Sequence, residues 1–203
     1  MFESNKTRPQ RLLEEKVSKM SASLQEAATK GLLKFADGYY YKSAALAAGA
    51  SGLQDILLND DSQKDGYCSI SKQKINPGCA FMASRMTIGV FSVATASLNG
   101  ADEATVSYTP ITSLTAEPAL QNAELEFTVN GVRQFMAPLT AFTQESEYSN
   151  SAKDGLNFSA PVFINDEQLL QFRLHLPQGK SLTATNSCFI KVTLFGAECR
   201  IAI

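Results

Sequence analysis

Chemistry in this chain would have to come from a small set of residues. The stretch Gln168–Leu182, QLLQFRLHLPQGKSL, holds His175, the single histidine of the 203-residue sequence, and closes on Gly179-Lys180-Ser181, the ending of a phosphate-binding loop. Such a loop opens on a glycine so that backbone N–H groups can curl around phosphates. Here that place is held by Leu174, and Pro177 within the would-be loop has no N–H to give. No helical pattern follows Ser181, so a phosphate site is not expected. Leu170, Phe172, Leu174 and Leu176 alternate with Gln171, Arg173 and His175, the period of a strand buried on one face. His175 is therefore expected among polar neighbours on a solvated strand face, which leaves a Ser-His-Asp relay or a multi-histidine metal site without raw material.

The carboxylates offer one other route. Glu124 and Glu126 share a face of a predicted strand, with Glu145 and Glu147 nearby, and a pair of this kind could serve acid–base hydrolysis. One of the two would need an apolar setting to raise its pKa, whereas same-face glutamates on an antiparallel strand are expected to be solvated. In NDDSQKDG, 59–66, Asp61, Asp65 and Gly66 fit part of a calcium loop, but Gln63 and Lys72 occupy positions that need carboxylates. Cys68, Cys79, Cys188 and Cys199 form no CxxC pair and have no histidine close in sequence, so they are expected as free, mostly buried thiols and not as zinc ligands. No catalytic constellation, cofactor or metal is expected, and the chain is not expected to be an enzyme.

Composition points the same way. A net charge of -2 argues against bulk nucleic-acid binding, which usually shows a strong basic excess. No apolar run reaches the length of a membrane-spanning helix, and the polar N-terminus does not read as a secretory signal, so synthesis and folding in a cytoplasm are expected.

The elements that would position these residues fall into two stretches, 1–64 and 65–203. In the first, Thr7-Arg8-Pro9-Gln10 has the form of a capping box. Behind it Leu13, Val17, Met20, Leu24 and Ala27 recur at spacings of four and three, the seam of an amphipathic helix expected over about 8–30 and closed by Gly31. That seam can be buried on its own domain or on a neighbouring subunit; the five residues are taken as candidate subunit contacts. Lys6, Arg8 and Arg11 raise contact of the arm with nucleic acid, which Glu3, Glu14 and Glu15 nearly balance away. Phe35–Lys42, FADGYYYK, suits a short strand or an aromatic surface, and Ser51-Gly-Leu-Gln54 a second short helix through Leu58. The polar run 59–66 is the expected domain boundary.

From Tyr67 onward strands are expected at 67–75, 80–96 (interrupted near Gly89), 104–109, 123–129, 132–136, 160–164, 169–176 and 188–195, and YTPITSLTAEPAL as loop or edge. Asn130-Gly131, between ELEFTV and VRQFM, is the strongest hairpin signal because both residues tolerate positive φ. About eight strands in this length predict an antiparallel β-sandwich, with a single jelly roll as its form.

On these patterns (NAELEFTVNG, FSAPVFINDEQLLQFRLHLPQGKSL, NSCFIKVTLFG) the chain resembles a viral or bacteriophage capsid-type jelly-roll protein with a helical N-terminal arm. The resemblance implies a structural subunit of a virion, made in the host cytoplasm, whose partners are copies of itself and other structural proteins; it carries over no residue by position. The alternative is a receptor- or glycan-binding module of a spike or adhesin, resting on the loops 97–122 and 137–160 and on Tyr39, Tyr40, Tyr41 and Tyr148 as stacking surfaces.

Overall fold

A computed structural model describes residues 6–94, 102–109, 117–142 and 155–202. The described residues form strands β1 (Leu33–Leu46), β2 (Leu53–Asp55), β3 (Cys79–Ala94), β4 (Glu124–Val129), β5 (Val132–Pro138), β6 (Leu156–Asn165), β7 (Leu170–His175) and β8 (Asn186–Ile201), with helices α1 (Arg8–Glu15), α2 (Ala22–Thr29) and the short α3 (Pro118–Gln121). Two antiparallel four-stranded sheets result, in the orders β1-β8-β3-β6 and β2-β7-β4-β5.

The pairings nest: β1 with β8, β2 with β7, β3 with β6 and β4 with β5. The chain is thus one long hairpin, its tip at β4–β5, rolled so that successive pairs fall alternately in the two sheets. That is a jelly roll, the expected fold. The tip forms at Asn130 and Gly131, whose φ values of 50° and 73° give the turn that matches strand twist.

Period-two alternation fills the interior. Leu125, Phe127 and Val129 of β4 and Leu170, Phe172 and Leu174 of β7 meet Met86, Ile88 and Val90 of β3 and Ile190, Val192 and Leu194 of β8. Phe127 stacks on Phe172 at 5.3 Å and tilts against Phe135 at 5.6 Å. Each such side chain contributes roughly 1.5–3 kcal/mol on burial.

The outer face of the first sheet is divided by a bulge. The register of β3 shifts between Ala83 and Arg85 against both neighbours. On one side of it Ala80 and Met82, with Ala197 and Cys199 of β8, lie beneath the arm. On the other side Arg85 and Thr87 pair with Phe195 and Thr193, outside the arm's cover. The bulge drives the Met82 carbonyl toward β8, where a Cβ on Gly196 would lie 1.9 Å from it.

Several sequence expectations change. The arm is not one helix over 8–30: α1 ends at Glu15, a single 3-10 turn spans Val17–Lys19, and α2 starts afresh after Ser21. Ser18, Ser21 and Ser23 favour such a break, because serine competes for backbone hydrogen bonds inside helices. Gly31, at φ 68°, closes α2 as expected: its N–H bonds Ala28 and that of Leu32 bonds Ala27, a complete Schellman motif. The segment expected as a second helix contains β2, since Gly52 takes φ 68° and Leu53–Asp55 add to β7. Stretch 67–75 is no strand; Lys72 and Gln73 at φ 49° and 60° turn it back on itself, leaving isolated bridges. Residues 104–109 make a single bridge, Thr109 to Val90. β3 runs unbroken through Gly89, where a Cβ would meet Tyr108 at 2.7 Å; the glycine serves close approach, not interruption. Both β1 and β2 precede residue 65, so the N-terminal stretch supplies a strand to each sheet.

Candidate functional site

Strand register brings together two residues that the sequence offered separately. Glu124 of β4 faces His175 of β7, and Glu126 faces Arg173. Across this grid His175 Nε2 lies 2.8 Å from Glu126 Oε2, while Arg133 of β5 donates to Glu126 Oε1 at 3.1 Å. The hydrogen bond with His175 and the charge of Arg133 hold the Glu126 carboxyl below the ordinary carboxylate range. A raised carboxyl, as a general acid needs, is the opposite. The surrounding pairs, Thr128 with Gln171 and Arg173 with Asp55, are equally polar. The arrangement ties β4, β5 and β7 together. Glu145, Glu147 and Tyr148 lie outside the described residues.

The candidate subunit contacts lie on the chain's own sheet. Leu13, Met20, Leu24 and Ala27 are buried, the first three packed on Ala80, Met82, Ala197 and Cys199, with Val17 half-buried beside them. Despite the break after Glu15, the four-three spacing still delivers one apolar face, because the 3-10 turn carries Val17 across to Met20. The stripe is occupied within the chain. The basic start is partly spent too: Lys6 pairs with Glu14 and lies over the Phe35 ring. Asp61 of the calcium-like run is engaged by Lys42, and all four cysteines are free and buried. Burial pushes the Cys188 and Cys199 thiols up to about 11, and burial together with Glu198 pushes Cys79 up to about 12.

What stands open is the other half of the first sheet's outer face. Period two sends Tyr39 and Tyr41 outward from β1 and Tyr40 inward, where its hydroxyl donates to Glu198 at 2.9 Å. Tyr39 and Tyr41 stack at 6.1 Å and 27°. Phe195 of β8 lies 6.4 Å beyond Tyr39. Cations cap the row: Lys191 lies 4.7 Å from the Tyr41 ring and 5.8 Å from Tyr108, and Arg85 lies 4.5 Å over Phe195. Tyr41 is fixed in place, its hydroxyl accepting the Gly66 N–H at 3.0 Å and its own N–H donating to Ser69 Oγ at 2.7 Å.

Two clefts use this wall. One, of about 300 Å³, runs over Thr193 between Tyr41, Lys191 and Phe195. The other, of about 230 Å³, is polar and includes Gln63, Asp65, Asn76 and Glu198. Sequence reasoning found the tyrosines and missed Lys191, Phe195 and Arg85. Alternation along KVTLF shows that Lys191, Thr193 and Phe195 share a face; only the pairing with β1 shows which face. A second missed residue is Glu117, buried, whose carboxylate accepts from the Thr183 N–H at 3.0 Å and Asn186 Nδ2 at 2.7 Å. It ties the approach to β4 to the β7–β8 connection.

Comparison of this chain with protein-family models, with curated proteins and with solved structures finds no match.

Proposed function

We propose that this chain is a non-enzymatic structural subunit of a virion, a capsid-type protein that associates with copies of itself. The observation that supports this reading best is the nested strand order, β1-β8-β3-β6 against β2-β7-β4-β5, around an interior filled by side chains. Jelly rolls of this order are shared by capsid and lectin domains, so the fold alone is a warrant by analogy. The polar Glu126–His175–Arg133 grid supports a structural role over a catalytic one. Contact through the N-terminal arm is proposed in exchanged form: α1 of one copy would cover the Ala80 and Met82 face of the next, with the same apolar contacts that it makes within one chain. Sedimentation of the purified full chain over a concentration series tests the reading. Growth into a large species of defined size supports it; a monomer at every concentration counts against it.

A further inference from the structure

We propose that the Tyr39–Tyr41 pair is the shared wall of a carbohydrate-binding site on the outer face of the β1-β8-β3-β6 sheet. The inference rests on the recognition reading of the tyrosines and is independent of whether copies of the chain assemble. A sugar ring presents an apolar face of C–H groups and an edge of hydroxyls that both donate and accept hydrogen bonds. The first needs a flat, electron-rich, accessible ring; the second needs donors and acceptors side by side.

Both are present, on opposite sides of one pair of rings. Tyr39 is 62% exposed, the ring in the row left most open to solvent. It is held between Tyr41 and Phe195, and Tyr41 is itself locked by Gly66 and Ser69, so the platform is ordered before a ligand arrives. On the apolar side Lys191 brings an ammonium to the cleft as donor to a hydroxyl or sugar carboxylate. On the polar side the Gln63 amide donates to the Ser69 carbonyl and to Asn76 Oδ1, which leaves Gln63 Oε1 to accept and Asn76 Nδ2 to donate to a hydroxyl. Asp65 adds an acceptor, Lys64 a donor, and Glu198, already accepting from Tyr40, a further carboxylate. Asp65 and Glu198 would repel the phosphates of a nucleic-acid strand, while Lys64 and Lys191 would attract them, so stacking of a base on Tyr39 is the competing outcome that the oligo(dT) arm of the test decides.

The test is retention of the full-length chain on immobilised saccharides: neutral hexose oligomers, N-acetylhexosamine oligomers, sialylated glycans and uronate oligomers, with oligo(dT) alongside. Expected is retention on at least one saccharide class, reduced by about tenfold or more in Tyr39→Ala, as for an aromatic anchor, and reduced also in Gln63→Ala. Tyr39 is 62% exposed, so Tyr39→Ala should leave the melting temperature unmoved. The melt of Gln63→Ala, which also gives up bonds to Ser69 and Asn76, is recorded beside its retention; sedimentation of the same samples reports assembly separately. Retention on sialylated or uronate glycans alone would place the sugar's carboxylate on Lys191, and retention on neutral sugars would give Lys191 a hydroxyl. No retention on any saccharide, retention indifferent to Tyr39→Ala, or retention on oligo(dT) only would overturn the site, and would do so even if the chain assembles.

Discussion

Lys42 Nζ lies 2.5 Å from Asp61 Oδ1, with the two side chains 1% and 7% exposed. Lys42 belongs to β1 and, by parity with Tyr40, points into the sandwich; Asp61 reaches it from the run 59–66. Tyr67 completes the cluster, its hydroxyl 2.6 Å from Nζ and its ring 3.9 Å below, while Asp61 Oδ2 accepts the Leu58 N–H. Burial works to lower the lysine's pKa, and the hydrogen bonds to Asp61 and Tyr67 outweigh it, so Lys42 stays charged. Removing one partner strands the other. Lys42→Met is expected to cost about 3–5 kcal/mol, and Lys42→Met with Asp61→Leu to recover part of that loss. Urea unfolding of wild type, Lys42→Met, Asp61→Leu and the double variant checks both; a double loss equal to the sum of the two single losses would show that the pair is not coupled.

The depressed Glu126 carboxyl makes a pH prediction. A group whose folded pKa lies below its unfolded value, about 4.3 for glutamate, adds stability above that value and loses it as pH falls through the folded one. Glu126→Gln removes the titrating group. The gap in stability between wild type and variant is therefore expected at neutral pH and should narrow steadily below about pH 4. Melting temperatures from pH 7 down to pH 3 measure it; a gap that stays constant would remove the pairing with His175 and Arg133 as its source.

Gly196 tests the bulge. An added Cβ would meet the Met82 carbonyl oxygen at 1.9 Å, a backbone atom on a central strand, so the two strands must part. Gly196→Ala is expected to cost at least about 3 kcal/mol, in the range of severe packing errors. At Gly131, φ 73° and open space around it limit the cost of alanine to about 1–2 kcal/mol. Thermal unfolding of the two variants should separate them in this order.

The arm gives a third pair. Leu13 is fully buried on Met82 and Ala197, and Leu13→Ala is expected to lose about 2–5 kcal/mol. Val17 is half-buried, and Val17→Ala should cost about 1 kcal/mol or less. Leu13→Asp with Val17→Asp would place charge in the same seam and lower the melting temperature of the isolated chain. An unchanged melt with altered sedimentation would instead put the stripe between copies.

Strands with one wet face were legible because the alternation is local: Leu170–Leu176 and Ile190–Leu194 carry their own period, and Asn130-Gly131 its own turn chemistry. What failed depended on distant partners. Gly89 read as a strand break, yet it makes room for Tyr108; the true irregularity, between Ala83 and Arg85, sits in a run, AFMASRM, that shows nothing unusual. The five-residue arm seam was visible, and its regular spacing masked the break that Ser18, Ser21 and Ser23 favour. Lys42 looked like the polar end of an aromatic strand, because its counter-ion lies 19 residues on. For the candidate site, Tyr39 and Tyr41 could be found from sequence and even assigned to one face by parity. Lys191, Phe195 and Arg85 join them only through the β1–β8–β3 register.

Assembly is the most direct measure of the central proposal. Electron cryomicroscopy of the purified full chain, at concentrations where sedimentation shows its heaviest species, should reveal closed shells or ordered capsomers with one jelly roll per copy. Featureless fields of single 22.0 kDa chains at all concentrations would contradict the shell-subunit reading.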